Sequence, residues 1–300
     1  MSSASALLTR LHGRFTRESF LARERLLSRV AGGPPLRILF SRQDGWEDMI
    51  RRGFAHTPHQ LEFGELAGRD FSRHDLVVPL TVADTLLLAG QRHALAHSPL
   101  PIPDARSVRL CNDKYLLNCE LAARGFGEFV PTMPEAPMPP FVLKARVAEN
   151  SERCYIIANA AEQAVHADLI ASDDYFCQEL IAGTSEFAAH VLVAGGRIVT
   201  ELTVEYVADR DVFIKGGANF LCRKFRRCAF TPLFERMLAA IDFEGLCCIN
   251  YKLQDGRPMV LEINPRFGGS LSPLFFAFIR HLPAARQLSA ATWGADRRAA

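Results

Sequence analysis

The stretch PMVLEINPRFGGS, residues 258–270, decides the fold, because its side chains alternate at the spacing of a β-strand. Period-two geometry predicts two faces, one with Met259, Leu261 and Ile263 and the other with Val260, Glu262 and Asn264. The second face would present the Glu262 carboxylate and the Asn264 amide about 6 to 7 Å apart. Both are oxygen donors of the kind that Mg²⁺ prefers. A solvated polar face on an ordinary amphipathic strand is the alternative interpretation.

The strand before this stretch, CCINYKL at 247–253, carries a further polar residue, Asn250. The connection QDG at 254–256 sets the relation between the two strands. A three-residue loop with Gly256 in the left-handed conformation would bring Asn250 and Glu262 to the same face. A two-residue Asp-Gly turn would put them on opposite faces. A shared polar site therefore predicts the bulged loop.

Composition restricts the class of protein. The chain has 300 residues, 49% of them hydrophobic, and a net charge of +2, so it can bury a large core and has no broad electrostatic attraction to nucleic acid. Its apolar runs are far shorter than the ~20 residues that cross a bilayer, so no membrane partner is predicted. The eight cysteines form no CxxC pair and no zinc pattern, which predicts reduced thiols and a cytoplasmic location.

The chain divides at glycine- and proline-rich segments. Residues 1–32 have helical spacing and carry no chemistry-bearing motif, which predicts a non-catalytic docking helix; an organelle targeting segment is the alternative. Alternating strands and helices predict an open α/β domain over 35–107. After the linker PTMPEAPMPP come runs typical of antiparallel strands.

Two helices and a basic cluster complete the local predictions. The segment 112–125 has a helical pattern that stops at Gly125, and a second helix is expected from Pro232 to Ile241 with Thr231 as its cap. Four cations stand just before this second helix: Arg223, Lys224, Arg226 and Arg227. They are either a solvated face or, if they face a cleft, a site for an anionic substrate such as a carboxylic acid.

Four motifs in succession resemble those of the ATP-grasp superfamily, as found in carboxylate-amine ligases and carbamoyl-phosphate synthases. They are NDKY at 112–115, VLK at 142–144, QELIAGTSEF at 178–187 and LEINPRFGG at 261–269. The resemblance covers about residues 35–280 and implies an α/β, more strictly α+β, ATP-grasp fold. It implies these segments: an N-terminal extension 1–32, a preceding domain 35–107, a small lobe with linker 108–182, a large lobe 183–280 and a tail 281–300.

The resemblance also implies a role for individual residues. The phosphates of ATP would contact Lys114 and Lys144, the adenine would meet a hinge strand, and the ribose would meet Glu186. Lys215, in a loop that resembles the mobile cover, and Arg266 would act on the reacting groups. The hinge strand comprises Gln178, Glu179, Leu180 and Ile181, and the metal ligands would be Glu262, Asn264 and Asn250.

Two features depart from the family pattern. The loop after Lys144 lacks the glycines that many relatives use to wrap phosphates, and Asn150 and Ser151 are expected to substitute for them. Asn250 stands where many relatives have an acidic residue or Gln, and a neutral amide weakens the electrostatic attraction for a metal.

The resemblance implies an ATP-dependent ligase that activates a carboxylate as an acyl phosphate and joins it to an amine. Its cofactors would be ATP and Mg²⁺, with Mn²⁺ as the alternative ion, and its partners would be small-molecule acids and amines. Two other functions stay open, a phosphotransferase on the same scaffold and a nucleotide-binding regulator without turnover. A homodimer is one option for its assembly.

Overall fold

The N-terminal segment forms one long helix, α1 (Ser3–Ala31), in a computed structural model that describes residues 3–148 and 152–289. The helix ends where predicted, because Gly32 and Gly33 adopt φ values of 61° and 127° that side chains disfavour. It docks on the rest of the chain so closely that a Cβ at Gly13 would lie 2.5 Å from the Cys222 Cβ. Within the described ranges, no helix combines the length and the apolar character that crossing a bilayer requires.

A parallel three-stranded sheet follows the helix, with β1 (Arg37–Phe40) between β2 (Gln60–Phe63) and β3 (Leu76–Val78). Two helices, α2 (Glu47–Phe54) and α3 (Val82–Ala89), lie between and after the strands. The sequence predicts β1 and β3, which are buried along almost their whole length. It misses β2, an edge strand that alternates between exposed and half-buried residues.

The helix predicted over 112–125 is present as α5 (Lys114–Leu121) and the helical turn Ala122–Phe126 that continues it, and an unpredicted helix, α4 (Ala105–Asn112), lies before it. Asp113 separates them, because its extended backbone ends α4 while its carboxylate accepts a hydrogen bond from Leu116 N and so caps α5. The predicted stop is correct, since Gly125 has a φ of 86°.

The small antiparallel sheet has the order β5-β4-β6 and is formed by β4 (Phe141–Ala145), β5 (Cys154–Ile157) and β6 (Tyr175–Glu179). Two short helices, α6 (Ala160–Val165) and α7 (Ala167–Ile170), join β5 to β6. The sequence predicts β4 and β6 and misses β5, a four-residue edge strand. β6 also lies at an edge but is buried at four of its five residues, whereas β5 is buried at only one of its four, so β5 has no buried-strand pattern to recognise.

The large antiparallel sheet has the order β11-β10-β7-β8-β9. Its strands are β7 (Ser185–Ala194), β8 (Arg197–Ala208), β9 (Phe220–Arg226), β10 (Gly245–Gln254) and β11 (Arg257–Asn264). One face packs with the parallel sheet and α9 (Phe276–Ile279), and the other packs on α8 (Thr231–Ala240). The antiparallel strands and mixed layers confirm the predicted fold class.

The start of α8 differs from the prediction. The helix begins at Thr231, with Phe230 in the position before it, and no side chain caps it. The Thr231 hydroxyl donates to Cys228 O, 3.2 Å away, instead of accepting from the first turn. Cys228 precedes the helix by three residues, so this contact fixes the entry of the chain into α8.

The hairpin of β10 and β11 corrects both the predicted loop and the predicted alternation. Gln254 pairs with Arg257, so the connection is the two-residue turn Asp255-Gly256, with φ values of 52° and 79°. The register then shifts between Asn250 and Tyr251, so that Asn250 pairs with Glu262. This β-bulge puts an extra residue in β11 and restores the shared face that the turn alone would destroy.

The bulge also reassigns residues between the two faces of β11. Val260 is fully buried in the same cluster as Ile263, on the α8 side, although the alternation predicts that Val260 shares a face with Glu262. Leu261, the extra residue, lines the cleft described below.

Candidate active site

A cleft lies between the small sheet and the large sheet. Its walls come from the ends of β4, β6 and β7, from the loop after β8, and from β10 and β11. Ten of the residues predicted from the sequence line it: Lys114, Lys144, Gln178, Glu179, Leu180, Ile181, Glu186, Lys215, Asn250 and Glu262. Residues separated by up to 148 positions in the chain therefore converge on one space.

Glu262 forms the floor of the cleft together with two amides. Its Oε1 accepts hydrogen bonds from Asn250 Nδ2 at 2.6 Å and from Asn264 Nδ2 at 3.0 Å. Asn250 reaches it from the neighbouring strand because of the bulge, and Asn264 lies two residues further along β11 on the same face. All three side chains carry an oxygen that can bind a cation.

Glu262 stays ionised although it is largely buried, with 22% of its side chain exposed. Burial opposes its ionisation, but the Lys114 ammonium, the hydrogen bond from Asn264 and the charge of Lys215 outweigh burial and lower its pKa to about 2. Lys114 Nζ lies 3.8 Å from Glu262 Oε2 and donates to Ala148 O at 2.6 Å. Lys114 is only 9% exposed, so it is not a solvated surface lysine.

Lys215 ties the loop after β8 to the floor of the cleft. Its Nζ lies 3.1 Å from Glu186 Oε1 and donates to Asn250 Oδ1 at 3.1 Å. Burial works to lower the pKa of Lys215, but the Glu186 carboxylate outweighs it and the pKa is raised. The ammonium is therefore a fixed positive charge next to Glu262.

Lys144 reaches the cleft from β4 and donates to Gln178 Oε1 at 2.5 Å. Gln178 lies on β6, where it is fully buried, and its Nε2 has no hydrogen-bond partner among the described residues. An unpaired buried amide is costly, so this donor is available to a ligand that enters the cleft. The residues after Lys144 that were expected to replace glycines, Asn150 and Ser151, lie outside the described residues.

The hinge after β6 offers a ligand in the cleft its backbone groups more than its side chains. The Glu179 carboxylate already accepts hydrogen bonds from Thr132 and from Gln254 Nε2, at 3.1 Å in each case. These bonds fasten the linker and the β10 to β11 hairpin to the hinge. Leu180 and Ile181 follow directly and line the cleft.

Lys252 is a site residue that the sequence reasoning did not assign. Its Nζ donates to Ile181 O at 3.1 Å and to Gly183 O at 3.3 Å, and it lies 4.0 Å from the centroid of the Phe213 ring. Burial lowers its pKa. A signal was present in the sequence, because Lys252 stands two residues after Asn250 and so shares its face.

A second cleft opens on the other side of Glu262. It shares Lys215, Asn250 and Glu262 with the first cleft and is further lined by Asn264 and Arg266, the two remaining predicted residues. The Arg266 guanidinium lies 5.6 Å from the Trp46 ring centroid and donates to Phe267 O at 2.9 Å. Trp46 belongs to the parallel-sheet domain and was not predicted to be near the site.

Only one residue of the basic cluster faces this second cleft. Arg223 lines it and lies 5.1 Å from the Tyr206 ring centroid. Lys224 and Arg226 instead pair with Glu205, whose side chain lies on the opposite face of the sheet. Strand alternation explains the split, since Arg223 pairs with Tyr206 and Lys224 with Glu205.

The residues around Glu262 fit a magnesium ion that is also bound by phosphate. The donors would be the ionised Glu262 carboxylate and the Asn264 amide oxygen, both hard oxygen ligands. The Asn250 amide oxygen accepts a hydrogen bond from Lys215 Nζ at 3.1 Å, so it would join them only if Lys215 turned away. The described residues contain no group of three or more His, Cys, Asp or Glu side chains that could hold a metal without such help. A site with one carboxylate leaves most of the coordination to water and to the ligand.

Solved structures of three ligases resemble this chain. D-alanine--D-alanine ligase from Bacillus anthracis, complexed with ATP, is 13% identical with a TM-score of 0.52, over 85% of this chain and 99% of that one. L-amino acid ligase from Bacillus licheniformis is 15% identical with a TM-score of 0.55, over 86% and 75%. Phosphoribosylamine--glycine ligase from Thermotoga maritima is 16% identical with a TM-score of 0.59, over 81% and 72%.

At identities this low, the TM-scores show a shared fold and nothing further. No curated protein matches the sequence. The sequence profile of the ATP-grasp domain matches residues 111–270, which is more than half of the chain and includes all four motifs in full. The chain therefore belongs to the ATP-grasp family.

Proposed function

We propose that this protein is an ATP-dependent ligase that activates a carboxylic acid as an acyl phosphate and joins it to an amine. The main support is that the ionised carboxylate of Glu262 lines both clefts. A nucleotide in the first cleft and an acid in the second would meet at this point. A protein that only binds a nucleotide has no need of the second cleft.

The first cleft has the charge that a triphosphate requires. Lys114, Lys144 and Lys215 bring three ammonium groups to its walls. Ammonium groups neutralise a phosphate chain as point charges without fixing its geometry. Gln178 Nε2 and the backbone of Leu180 and Ile181, which also line this cleft, are the groups that would meet the base.

Glu262, Asn264 and Asn250 would hold Mg²⁺, which would neutralise charge on the phosphates when bound. Lys215 would steady the transferred phosphoryl group, because its ammonium lies on the border between the two clefts. Arg266, in the second cleft, would orient the carboxylate of the acid through its planar guanidinium.

The proposed reaction has two successive displacement steps. A carboxylate oxygen of the acid attacks the terminal phosphorus of ATP, and ADP leaves. The amine nitrogen then attacks the acyl carbon, phosphate leaves, and the amine loses a proton. The chain's own contribution is positioning and charge stabilisation.

The test is an assay of phosphate and ADP release with pooled acids and pooled amines at saturating magnesium. A ligase releases both products only when acid and amine are present together. Phosphate that stays on the acid would indicate a phosphotransferase. Tight ATP binding by calorimetry without turnover in any pool would contradict the ligase and favour a regulator.

A further inference from the structure

The second cleft has an aromatic lining that the ligase reaction itself does not require. Three aromatic rings line it, those of Trp46, Tyr206 and Phe220. Tyr206 and Phe220 lie 5.1 Å apart between ring centroids and belong to the large sheet, whereas Trp46 comes from the parallel-sheet domain. Walls of this kind bind a flat apolar body and exclude water from it.

The charges in the cleft are almost all positive. Arg223, Arg266 and Lys215 line it, and Glu262 is its only carboxylate among the described residues. Arg223 forms no ion pair with any described residue, while its neighbours Lys224 and Arg226 both pair with Glu205. An arginine without a carboxylate partner on a cleft wall can bind an anionic group of a ligand.

The imidazole of His190, which also lines the second cleft, adds no charge to it. His190 Nε2 forms a hydrogen bond with Ser270 Oγ at 2.7 Å, and burial, with Lys215 and Arg266 nearby, lowers the His190 pKa to about 3. The ring is therefore neutral at physiological pH. A neutral imidazole leaves the charge of the cleft unchanged and cannot form an ion pair with the ammonium group of a ligand.

We propose that the acid bound in the second cleft has a flat apolar body and a second anionic group that pairs with Arg223, and that it lacks a free ammonium group. This inference rests on the proposed ligase function and specifies the substrate class of its site. Arg266 would meet the reacting carboxylate, and Arg223, on β9, would meet the second anion. An α-amino acid is disfavoured because its ammonium would lie near Arg223 and Arg266, while Glu262, the one carboxylate that lines the cleft among the described residues, already meets Lys114.

Three acids that share a 3-phenylpropanoate core test this proposal by calorimetry on the full chain saturated with magnesium and a non-hydrolysable ATP analogue. Hydrocinnamate is the core itself, with a phenyl ring and one carboxylate. L-phenylalanine adds an ammonium group, and benzylsuccinate adds a carboxymethyl group and with it a second carboxylate. We expect benzylsuccinate to bind about tenfold more tightly than hydrocinnamate, which corresponds to about 1.4 kcal/mol, and L-phenylalanine to bind most weakly.

Replacing Arg223 identifies the residue that is responsible. Arg223→Met should abolish the advantage of benzylsuccinate over hydrocinnamate and leave the affinity for the ATP analogue unchanged. The matched control is Arg236→Met, since Arg236 is exposed on α8 and lines neither cleft. Arg223→Glu should raise the affinity for L-phenylalanine relative to hydrocinnamate.

The outcomes separate this inference from the ligase proposal. L-phenylalanine that binds as tightly as benzylsuccinate, or a failure of all three acids to bind while the ATP analogue binds, would overturn the substrate class. An acid preference in the expected order without ADP release from ATP in any acid and amine pool would leave the substrate class standing and reject the ligase.

Discussion

Glu262 and Glu24 are both surrounded by cations, and of these two carboxylates only Glu262 lies at the candidate site. Glu262 meets Lys114 and the amides of Asn250 and Asn264 at the junction of two clefts. Glu24, on α1, is 1% exposed and meets Arg280 and Arg227 in the interface that joins α1 to the body of the protein. Burial and charge pairing alone therefore do not distinguish a site from a structural ion pair.

The type of cation and the neighbouring space distinguish them. Arginines surround Glu24, and their planar guanidinium groups suit a permanent pair with a carboxylate. Around Glu262 the cations are lysines, point charges that can turn from a carboxylate to a phosphate that enters the cleft. We infer that Glu24 fastens α1, whereas Glu262 is held ready for a ligand.

Loss of the Glu262 charge should have the largest effect. Glu262→Gln removes the one carboxylate of the metal site and should lower activity at least about 10²-fold, comparable with the loss of one electrostatic contact to a transition state. ADP formation at saturating magnesium measures it. A variant that retains a tenth of the parent activity would contradict the assignment of Glu262 as the principal metal ligand.

The matching change in the other cluster should affect stability and not catalysis. Glu24→Gln leaves two arginines without their buried partner and should lower the free energy of unfolding by about 2 kcal/mol. Denaturant unfolding measures this change. Activity per folded molecule should stay at the parent level, and a large drop in kcat without loss of stability would mean that α1 takes part in the site.

A lysine of the first cleft should affect nucleotide binding. Lys144→Ala should weaken ATP binding by more than about 1.4 kcal/mol, a tenfold effect, because a phosphate loses its countercharge. Lys224→Ala is the control, since Lys224 pairs with Glu205 away from both clefts. Equal affinities of the two variants by calorimetry would remove Lys144 from the phosphate site.

Histidines near the two carboxylates should respond differently to acid. The His190 pKa is about 3 when folded and near 6.5 when unfolded, so the stability from its neutral form is complete above pH 6.5 and is lost as pH falls towards 3. This contribution should fall by about 1 kcal/mol over the first pH unit below 6.5.

His190→Gln should remove most of this pH dependence. Denaturant unfolding at pH 6.5 and one pH unit lower measures the free energy of unfolding of parent and variant. The control is His281→Gln. The pKa of His281 is also lowered by burial and by Arg280 and Arg227, but Glu24 opposes the shift. We expect His281→Gln to change the pH dependence of the free energy of unfolding less than His190→Gln does. Equal pH dependence in the two variants would contradict this prediction.

The smallest effect is expected at Asn250. Asn250→Asp adds a second carboxylate next to the metal site and should keep or modestly raise ADP formation if the parent site works. If the parent has no turnover and the variant gains it, the protein is a nucleotide-binding regulator whose site has lost its catalytic charge.

The sequence by itself determined the fold class, most of the buried strands and the identity of most site residues. Burial imposes a local pattern, such as the continuous apolar runs of β1 and β3. The motif around Glu262 and Asn264 is similarly local, because two residues on one strand share a face whatever surrounds them. Strands β2 and β9 were not predicted, because no residue of either strand is fully buried and neither therefore carries a clear buried-strand pattern.

Only the tertiary structure decided which residues of different strands meet. The sequence required a bulged loop to bring Asn250 to Glu262, but the chain makes a tight turn and places the bulge at Leu261, where Val260 enters the core. Trp46 and Arg223 line the same cleft from two different sheets, which no local period encodes. Register and domain packing depend on the free energy of burying whole surfaces together, and so these contacts exist only once the chain has folded.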